Sequence, residues 1–258
     1  MSRIIKILNE VFLVCILGFV IYLSLNLKNK SDSVVQTIMI EGNEHLSVEQ
    51  YLSFANLLDK NAYSVLSLQV IKDRLEKHPY VERVDVRYNG DGKVAIKIFE
   101  KVFESLLLKN EEQYLLTNRL QILPLLPQTK KIDFPVISID SLYKGFKVLS
   151  SLRNNYDVVT AVKIISAVKL LNPELYDNLS SIDLQYGKDI VIDLSSVNYQ
   201  IRLGRGNELN KIICFSNFWN YLKGKEINKY IEYVDLRYSG HVYLGIIEPS
   251  KEEEIKKS

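Results

Sequence analysis

The sequence predicts an α+β protein in three parts: an N-terminal transmembrane helix, a compact unit ordered β-α-α-β-β, and a mixed α/β domain with an antiparallel-rich sheet. Three observations carry this expectation. An uncharged apolar run fills residues 11–27. Two alternating segments, Val81 to Tyr88 and Lys93 to Glu100, flank Asn89-Gly90-Asp91-Gly92, a turn of residues that tolerate positive φ. Farther on, short strand-like segments outnumber two helical ones, marked by Val158, Val162, Ile165 and Val168 and by Leu209, Ile212, Ile213 and Trp219.

Val11 to Leu27 covers ~25 Å at a helical rise of ~1.5 Å per residue, the short end of a bilayer span. Ile4, Ile5, Ile7 and Leu8 extend it, and Arg3, Lys6, Lys28 and Lys30 can snorkel to the headgroups. A cleaved signal peptide is the rival explanation. Against it, the run exceeds a signal core of ~7 to 15 residues, and no small-x-small cleavage site follows. The expectation is an uncleaved single-pass anchor behind a cytoplasmic tail at 1–10, with most of the chain outside. Positive charge nearly balances across the span, so the short tail alone argues for N-in. Residues 28–34 read as a polar linker.

Residues 35–101 hold the compact unit. Gln36 to Glu41 is its first strand and Gly42-Asn43 a turn. Ser47 caps a helix to about Leu57, and Ser67 caps a second, spaced by Leu68, Ile71 and Leu75, until His78-Pro79 stops it. The hairpin of Val81 to Glu100 completes the unit.

Residues 102–248 form the second domain. Phe103 to Lys109 and Gln113 to Leu116 are strands around the acidic turn Asn110-Glu111-Glu112. Leu123 to Pro135, with three prolines, reads as extended loop. A helix at Tyr156 to Leu171 ends at Pro173. Ser181 to Tyr186, Asp189 to Leu194 and Tyr199 to Leu203 are strand candidates, with Gly187 and Ser195 to Asn198 as turns. A helix from about Asn207 to Lys223 is closed by Gly224. Tyr233 to Tyr238 and His241 to Ile247 are the last strands, before a charged, disordered tail at 249–258.

Composition removes several function classes. The 258 residues are 47% hydrophobic and 25% charged, ordinary globular usage, and the net charge of +2 lacks the basic excess that nucleic acid requires. Cys15 and Cys214 have no CxxC spacing, and His45, His78 and His241 are scattered as surface or turn residues, so no metal site is assigned. Gly204-Arg205-Gly206 precedes a helix but lacks both phosphate-loop signatures and reads as a turn. Cys214, among Ile212, Ile213 and Phe215, reads as a packed residue. The sixteen tyrosines are spread through strands rather than clustered as a sugar platform. No catalytic residue, cofactor or small-molecule substrate is assigned, and the expectation is that the protein is not an enzyme.

An internal echo relates Tyr80-Val81-Glu82-Arg83-Val84-Asp85-Val86-Arg87-Tyr88-Asn89-Gly90 to Tyr230-Ile231-Glu232-Tyr233-Val234-Asp235-Leu236-Arg237-Tyr238-Ser239-Gly240. Shared hairpin physics explains it, with alternating apolar residues toward a core and Asp and Arg toward solvent.

Ile40-Glu41-Gly42-Asn43 and His78-Pro79-Tyr80-Val81-Glu82-Arg83-Val84, set in a β-α-α-β-β order behind an anchor, resemble a POTRA domain. With the terminal Tyr233-Val234-Asp235-Leu236-Arg237-Tyr238-Ser239-Gly240 and the strand-glycine-helix order around Gly204, the chain resembles the FtsQ/DivIB cell-division family over almost its whole length. The resemblance implies an inner-membrane scaffold at the division septum, with its C-terminal domain periplasmic. It implies binding of FtsB-like and FtsL-like bitopic proteins, recruitment of other divisome proteins through the POTRA domain, and a part in controlling septal peptidoglycan synthesis. It places the partner site at Arg237, Tyr238, Gly240, His241, Val242, Tyr243, Leu244, Gly245, Ile246 and Ile247.

A strand at a sheet edge fits that role, because a partner segment can add to it as a further strand. Along it, His241, Tyr243, Gly245 and Ile247 share one face, while Val242, Leu244 and Ile246 share the other, and one face should pack on the helices. Some family members carry an aromatic residue beyond this strand; here Glu248-Pro249 follows. A POTRA-bearing component of outer-membrane protein export is the alternative function, although no barrel-forming segment follows Glu248. A wall hydrolase is a third, for which no convergent catalytic set is found.

Overall fold

The computed structural model describes residues 12–23, 35–59, 61, 63, 66–140, 143, 145–184, 189–238 and 240–247. The tail expected at 1–10, the linker at 28–34 and the charged tail at 249–258 lie outside these residues, as do Val11 and 24–27 of the span, Gln185 to Gly187, Ser239 and Glu248. Residues 12–23 form helix α1, with every side chain exposed. Among the described residues no helix is long and apolar enough to cross a membrane, and α1 covers residues 12–23 of the span expected at 11–27. The rest divides into two compact units: Ser47–Glu100, with the residues up to Asn43, and Lys101 onward, with Glu44–Leu46.

In the first unit, β1 (Thr37–Glu41) is followed by α2 (Val48–Phe54), α3 (Leu68–Glu76), β2 (Val81–Tyr88) and β3 (Lys93–Glu100). The sheet order is β1-β3-β2, with β1 parallel and β2 antiparallel to β3. Ser47 opens α2 with a reciprocal cap: Gln50 N–H donates to Ser47 Oγ at 3.3 Å, and Ser47 N–H donates to Gln50 Oε1 at 2.9 Å. Ser67 caps α3 through the Val70 N–H at 3.2 Å. Val94, Ile96 and Ile98 alternate inward along β3 and are buried, as are Tyr51, Ile71 and Leu75 of the helices, and each fully buried aliphatic side chain contributes roughly 1.5–3 kcal/mol. A register shift between Val81 and Arg83 leaves Glu82 as an extra residue, which turns Val81 and Val84 to the core together. His78 is buried rather than at the surface. Its ring lies 4.7, 4.6 and 5.5 Å from those of Tyr51, Phe54 and Tyr80, and its Nδ1 accepts the Tyr80 N–H at 3.1 Å.

The second unit runs β4 (Phe103–Lys109), β5 (Glu112–Thr117), β6 (Ile122–Pro124), β7 (Val136–Ser138), α4 (Tyr156–Leu171), α5 (Pro173–Asn178), β8 (Leu179–Asp183), β9 (Val191–Leu194), β10 (Gln200–Arg202), α6 (Glu208–Leu222), a 3-10 turn at Glu226–Tyr230, β11 (Ile231–Asp235) and β12 (Tyr243–Ile246). Its strands form one sheet of order β12-β11-β10-β9-β8-β7-β4-β5-β6. Antiparallel ladders join β4-β5-β6, β8-β9-β10 and β11-β12, and parallel seams β4/β7, β7/β8 and β10/β11 connect them. Ile182, Ile192, Ile201 and Val234 point from adjacent strands into a core shared with Ile164, Ile165, Phe215 and Trp219 of α4 and α6.

Several local expectations need correcting here. Leu123 to Pro135 is not all loop: Leu123 and Pro124 belong to β6, and the chain then reaches β7 at Val136. Pro173 does more than end α4, because it occupies the first turn of α5, where a missing N–H costs nothing. Asn172 serves both helices. Its Oδ1 accepts the Leu175 N–H at 3.0 Å, while its Nδ2 donates to Ser216 Oγ and Asn220 Oδ1 of α6, each at 3.1 Å. The inward stripe of α6 is Ile212, Phe215, Ser216, Trp219 and Leu222. That stripe leaves Leu209, Ile213 and Cys214 on the exposed side, so Cys214 is not packed as expected. Likewise Val162 is only half-buried, and Ala161 and Ile164 take the inner face of α4.

Candidate partner-docking edge

Among the described residues β12 is the outermost strand of the nine-stranded sheet, paired only with β11. Its register sets Asp235 opposite Tyr243, Val234 opposite Leu244, Tyr233 opposite Gly245 and Ile231 opposite Ile246, with a bulge at Glu232. The bulge falls at the same place in the echo as Glu82 and again turns two apolar residues, Ile231 and Val234, to the core. The Ile247 N–H donates to the Tyr230 carbonyl at 2.8 Å. Antiparallel alternation then directs the backbone groups of Ile247, Gly245 and Tyr243 toward β11 and those of Leu244 and Ile246 outward.

The side chains divide as the pleat requires. Val242 and Leu244 pack against the core on the helix side. On the same side Ile246, paired with buried Ile231, is 57% exposed. The opposite face carries His241, Tyr243 and Ile247, all exposed. Tyr238, 58% exposed, meets the Tyr243 ring edge-on at 5.3 Å, and the His241 ring stacks 6.1 Å from Tyr243. Gly245 has no room for a side chain: a Cβ there would lie 2.3 Å from Tyr233 Cε1. The Tyr233 ring is covered in turn by the Arg202 guanidinium, 4.3 Å from its centroid. Gly240, with φ of 77°, turns the chain between β11 and β12.

Arg237 sits at the head of this edge, engaged within its own unit. Its backbone N–H donates to Asp235 Oδ1 at 2.9 Å, its Nε and terminal nitrogen to the same carboxylate at 3.0 and 2.6 Å, and its second terminal nitrogen to Asp189 Oδ2 at 3.1 Å. The Arg237 side-chain hydrogen bonds hold the Asp235 carboxyl below the ordinary carboxylate range; the Arg237 backbone N–H and the charges of Arg237 and Arg202 reinforce this, and burial opposes it. The same bonds raise Arg237 above its ordinary value. Gly204 makes the arrangement possible. Its φ of 65° suits glycine, and a Cβ there would stand 2.7 Å from Arg237 Cγ.

Asp235 therefore corrects the echo, since it is buried at 4% exposure rather than turned to solvent, whereas its counterpart Asp85 pairs with Arg83 at the surface at 3.2 Å. Tyr238, His241, Tyr243, Ile246 and Ile247 lie exposed along one strand and its approach, while the side chains of Val242 and Leu244 belong to the core. Asp189, Arg202, Tyr233 and Gly204 complete the neighbourhood and were not among the expected site residues. The Asp-x-Arg spacing of Asp235 and Arg237, which puts both on one face of a strand, could have suggested the first ion pair. Nothing local could have brought Asp189 to Arg237. Among the described residues no cluster of His, Cys, Asp and Glu could hold a metal ion.

Two family profiles match the chain. That of the POTRA domain, FtsQ-type, matches residues 33–101, and that of the cell division protein FtsQ/DivIB, C-terminal, matches residues 106–237. The second match stops at Arg237, before β12. A curated relative, the cell division protein FtsQ of Syntrophotalea carbinolica, is 24% identical over 104 residues, which is 40% of this chain and 36% of the relative. The matched stretch thus spans little more than a third of that relative's length.

Proposed function

This chain belongs to the FtsQ/DivIB cell-division family, and from that premise we propose that it is a non-enzymatic divisome scaffold that captures FtsB-like and FtsL-like bitopic proteins along β12. The observation that carries the docking site is the open edge itself. Leu244 and Ile246 each turn an N–H and a C=O away from β11, beside the exposed rings of Tyr238 and Tyr243. A partner strand added there gains main-chain hydrogen bonds worth about 0.5–1.5 kcal/mol each and apolar contact with Ile246 and Ile247.

In this proposal residues 11–27 anchor the protein in the inner membrane with the N-terminus inside. Both units then stand on the periplasmic side at the septum, the POTRA unit recruits other divisome proteins, and capture at β12 helps control septal peptidoglycan synthesis. The C-terminal family match favours this over a role in outer-membrane protein export.

The test is co-purification of the full chain with FtsB-like and FtsL-like proteins. Tyr238→Ala together with Ile246→Lys should weaken capture about tenfold or more, since each removes an exposed contact of the kind that anchors an interface. Capture that is unchanged by both substitutions would remove β12 as the site. Absence of any complex at micromolar concentrations would remove the scaffold role.

A further inference from the structure

The three-stranded sheet of the first unit has an edge of its own. Among the described residues β2 pairs only with β3, and its backbone groups divide in a fixed way. The Asn89 N–H donates to the Lys93 carbonyl at 2.9 Å, so alternation along the ladder turns the backbones of Asn89, Arg87, Asp85 and Arg83 toward β3 and those of Tyr88, Val86 and Val84 outward. An independent bond agrees, because the Val84 N–H donates to Glu76 Oε1 of α3 at 3.1 Å. No bond of this kind covers the N–H of Val86 or Tyr88 among the described residues.

Side chains alternate with the backbone. Arg83, Asp85 and Arg87 lie on the outer face, and Val84 and Val86 on the helix side, buried and half-buried. A row of charges normally keeps an edge from pairing, but in one register this row complements itself. When β2 meets a second β2 antiparallel about Val86, Val86 faces its own copy, Tyr88 faces the copy's Val84, and Asp85 faces the copy's Arg87 on both sides of the two-fold axis. These pairings set outward backbone groups opposite outward ones, as an antiparallel ladder needs. Arg87 is exposed and has no ion-pair partner among the described residues, while Asp85 has only the surface contact with Arg83 at 3.2 Å. Centring the pair on Val84 would instead demand the N–H already held by Glu76 and run the ladder into the bulge at Glu82. Centring it on Asp85 would set that carboxylate against its copy.

We propose that β2 is a self-association edge, on which a second copy of this chain pairs antiparallel about Val86. The contact is isologous: the Val86 N–H donates to the copy's Val86 carbonyl, the Tyr88 N–H to the copy's Val84 carbonyl, and each bond occurs twice. Glu76 restrains the association by keeping the Val84 N–H from the copy's Tyr88 carbonyl. The contact lies in the first unit and does not depend on β12 or on partner capture there.

The experiment is disulfide trapping on the purified full chain in detergent micelles, with Cys15 and Cys214, both exposed, replaced by Ser. Val86→Cys puts two thiols across a hydrogen-bonded pair about 5.5 Å apart at Cα, within disulfide reach, and should cross-link to its own copy under mild oxidation. Asp85→Cys and Arg87→Cys should each self-link about tenfold more slowly, since each is out of register with itself and lies beyond the ~7 Å limit. Mixed together, those two variants should link to each other. Arg87→Glu, which sets like charges opposite each other twice, should slow the Val86→Cys cross-link about tenfold. Glu76→Ala, at the exposed end of α3, frees the Val84 N–H and should speed it about tenfold. The proposal is overturned if Val86→Cys links no faster than the Asp85→Cys and Arg87→Cys controls, which is also the outcome if β2 takes a strand of another protein. It is equally overturned if Arg87→Glu or Glu76→Ala leaves the Val86→Cys rate unchanged.

Discussion

Gly245→Ala is the sharpest probe of the packing behind the β12 edge. A Cβ at this position would lie 2.3 and 2.5 Å from two carbons of the Tyr233 ring, more than an ångström inside ordinary contact. The backbone of Gly245 is not left-handed, so the clash is the whole of the strain. Relief requires the ring to swing off the strand and out from under Arg202, forfeiting a surface cation–π contact of about 0.5–1 kcal/mol within a total overpacking cost of about 1–3 kcal/mol. Against this, replacing glycine by alanine inside a strand recovers about 0.5–1 kcal/mol. The net expectation is a loss of about 1–2 kcal/mol. Urea denaturation measures it, with emission from Trp219, the single tryptophan, buried in the same unit. In a Tyr233→Ala background the same substitution should turn stabilising, by about 0.5 kcal/mol, because the obstacle is gone. An equal loss in both backgrounds would refute the account, since the cost would then have nothing to do with the ring.

Substitutions at two further residues, Asp235 and Asn172, test the supports of this unit. The folded pKa of Asp235 lies below its ordinary value of 3.8, so the stability its charge contributes is complete above that value and is lost as pH falls through the lower folded pKa. Wild type should therefore exceed Asp235→Asn in urea midpoint by a margin that is constant from about pH 7 to 5 and shrinks below about pH 4, and a margin that does not shrink would separate it from Asp235's charge. Asn172→Ala removes the cap of α5 and both hydrogen bonds to α6 from a buried position, for an expected loss of about 2–4 kcal/mol by the same denaturation assay. Asn172→Asp, which keeps the cap and loses the donors, should fall between; a value equal to wild type would show that the bonds to Ser216 and Asn220 contribute nothing.

What the sequence revealed follows the length over which each pattern accumulates. The β2/β3 hairpin and α4 were legible to the residue, because eight alternating positions or four helical turns give a period time to declare itself. Three-residue β6 and β7 give it none, and β7 is held by parallel neighbours on both sides. The direction of α6 was legible, but its rotation was not. Apolar Leu209 and Ile213 alternate with the buried stripe closely enough that only the packed partner decides between them. At the β12 edge, a strand was legible over His241 to Ile247, of which the structure keeps Tyr243–Ile246. That Arg237 is already engaged by Asp189 was not, because the pairing is made by the sheet order β11-β10-β9 and not by any local spacing.

The seam between β10 and β11 is parallel and three residues long, and α6 with its following turn lies between the two strands in sequence. A parallel connection of this kind closes late, because the intervening loop must lose its freedom before any of the seam's bonds form. The edge at β12 is built on β11, so its attachment to the rest of the sheet passes through three residue pairs, Gln200 with Tyr233, Ile201 with Val234 and Arg202 with Asp235.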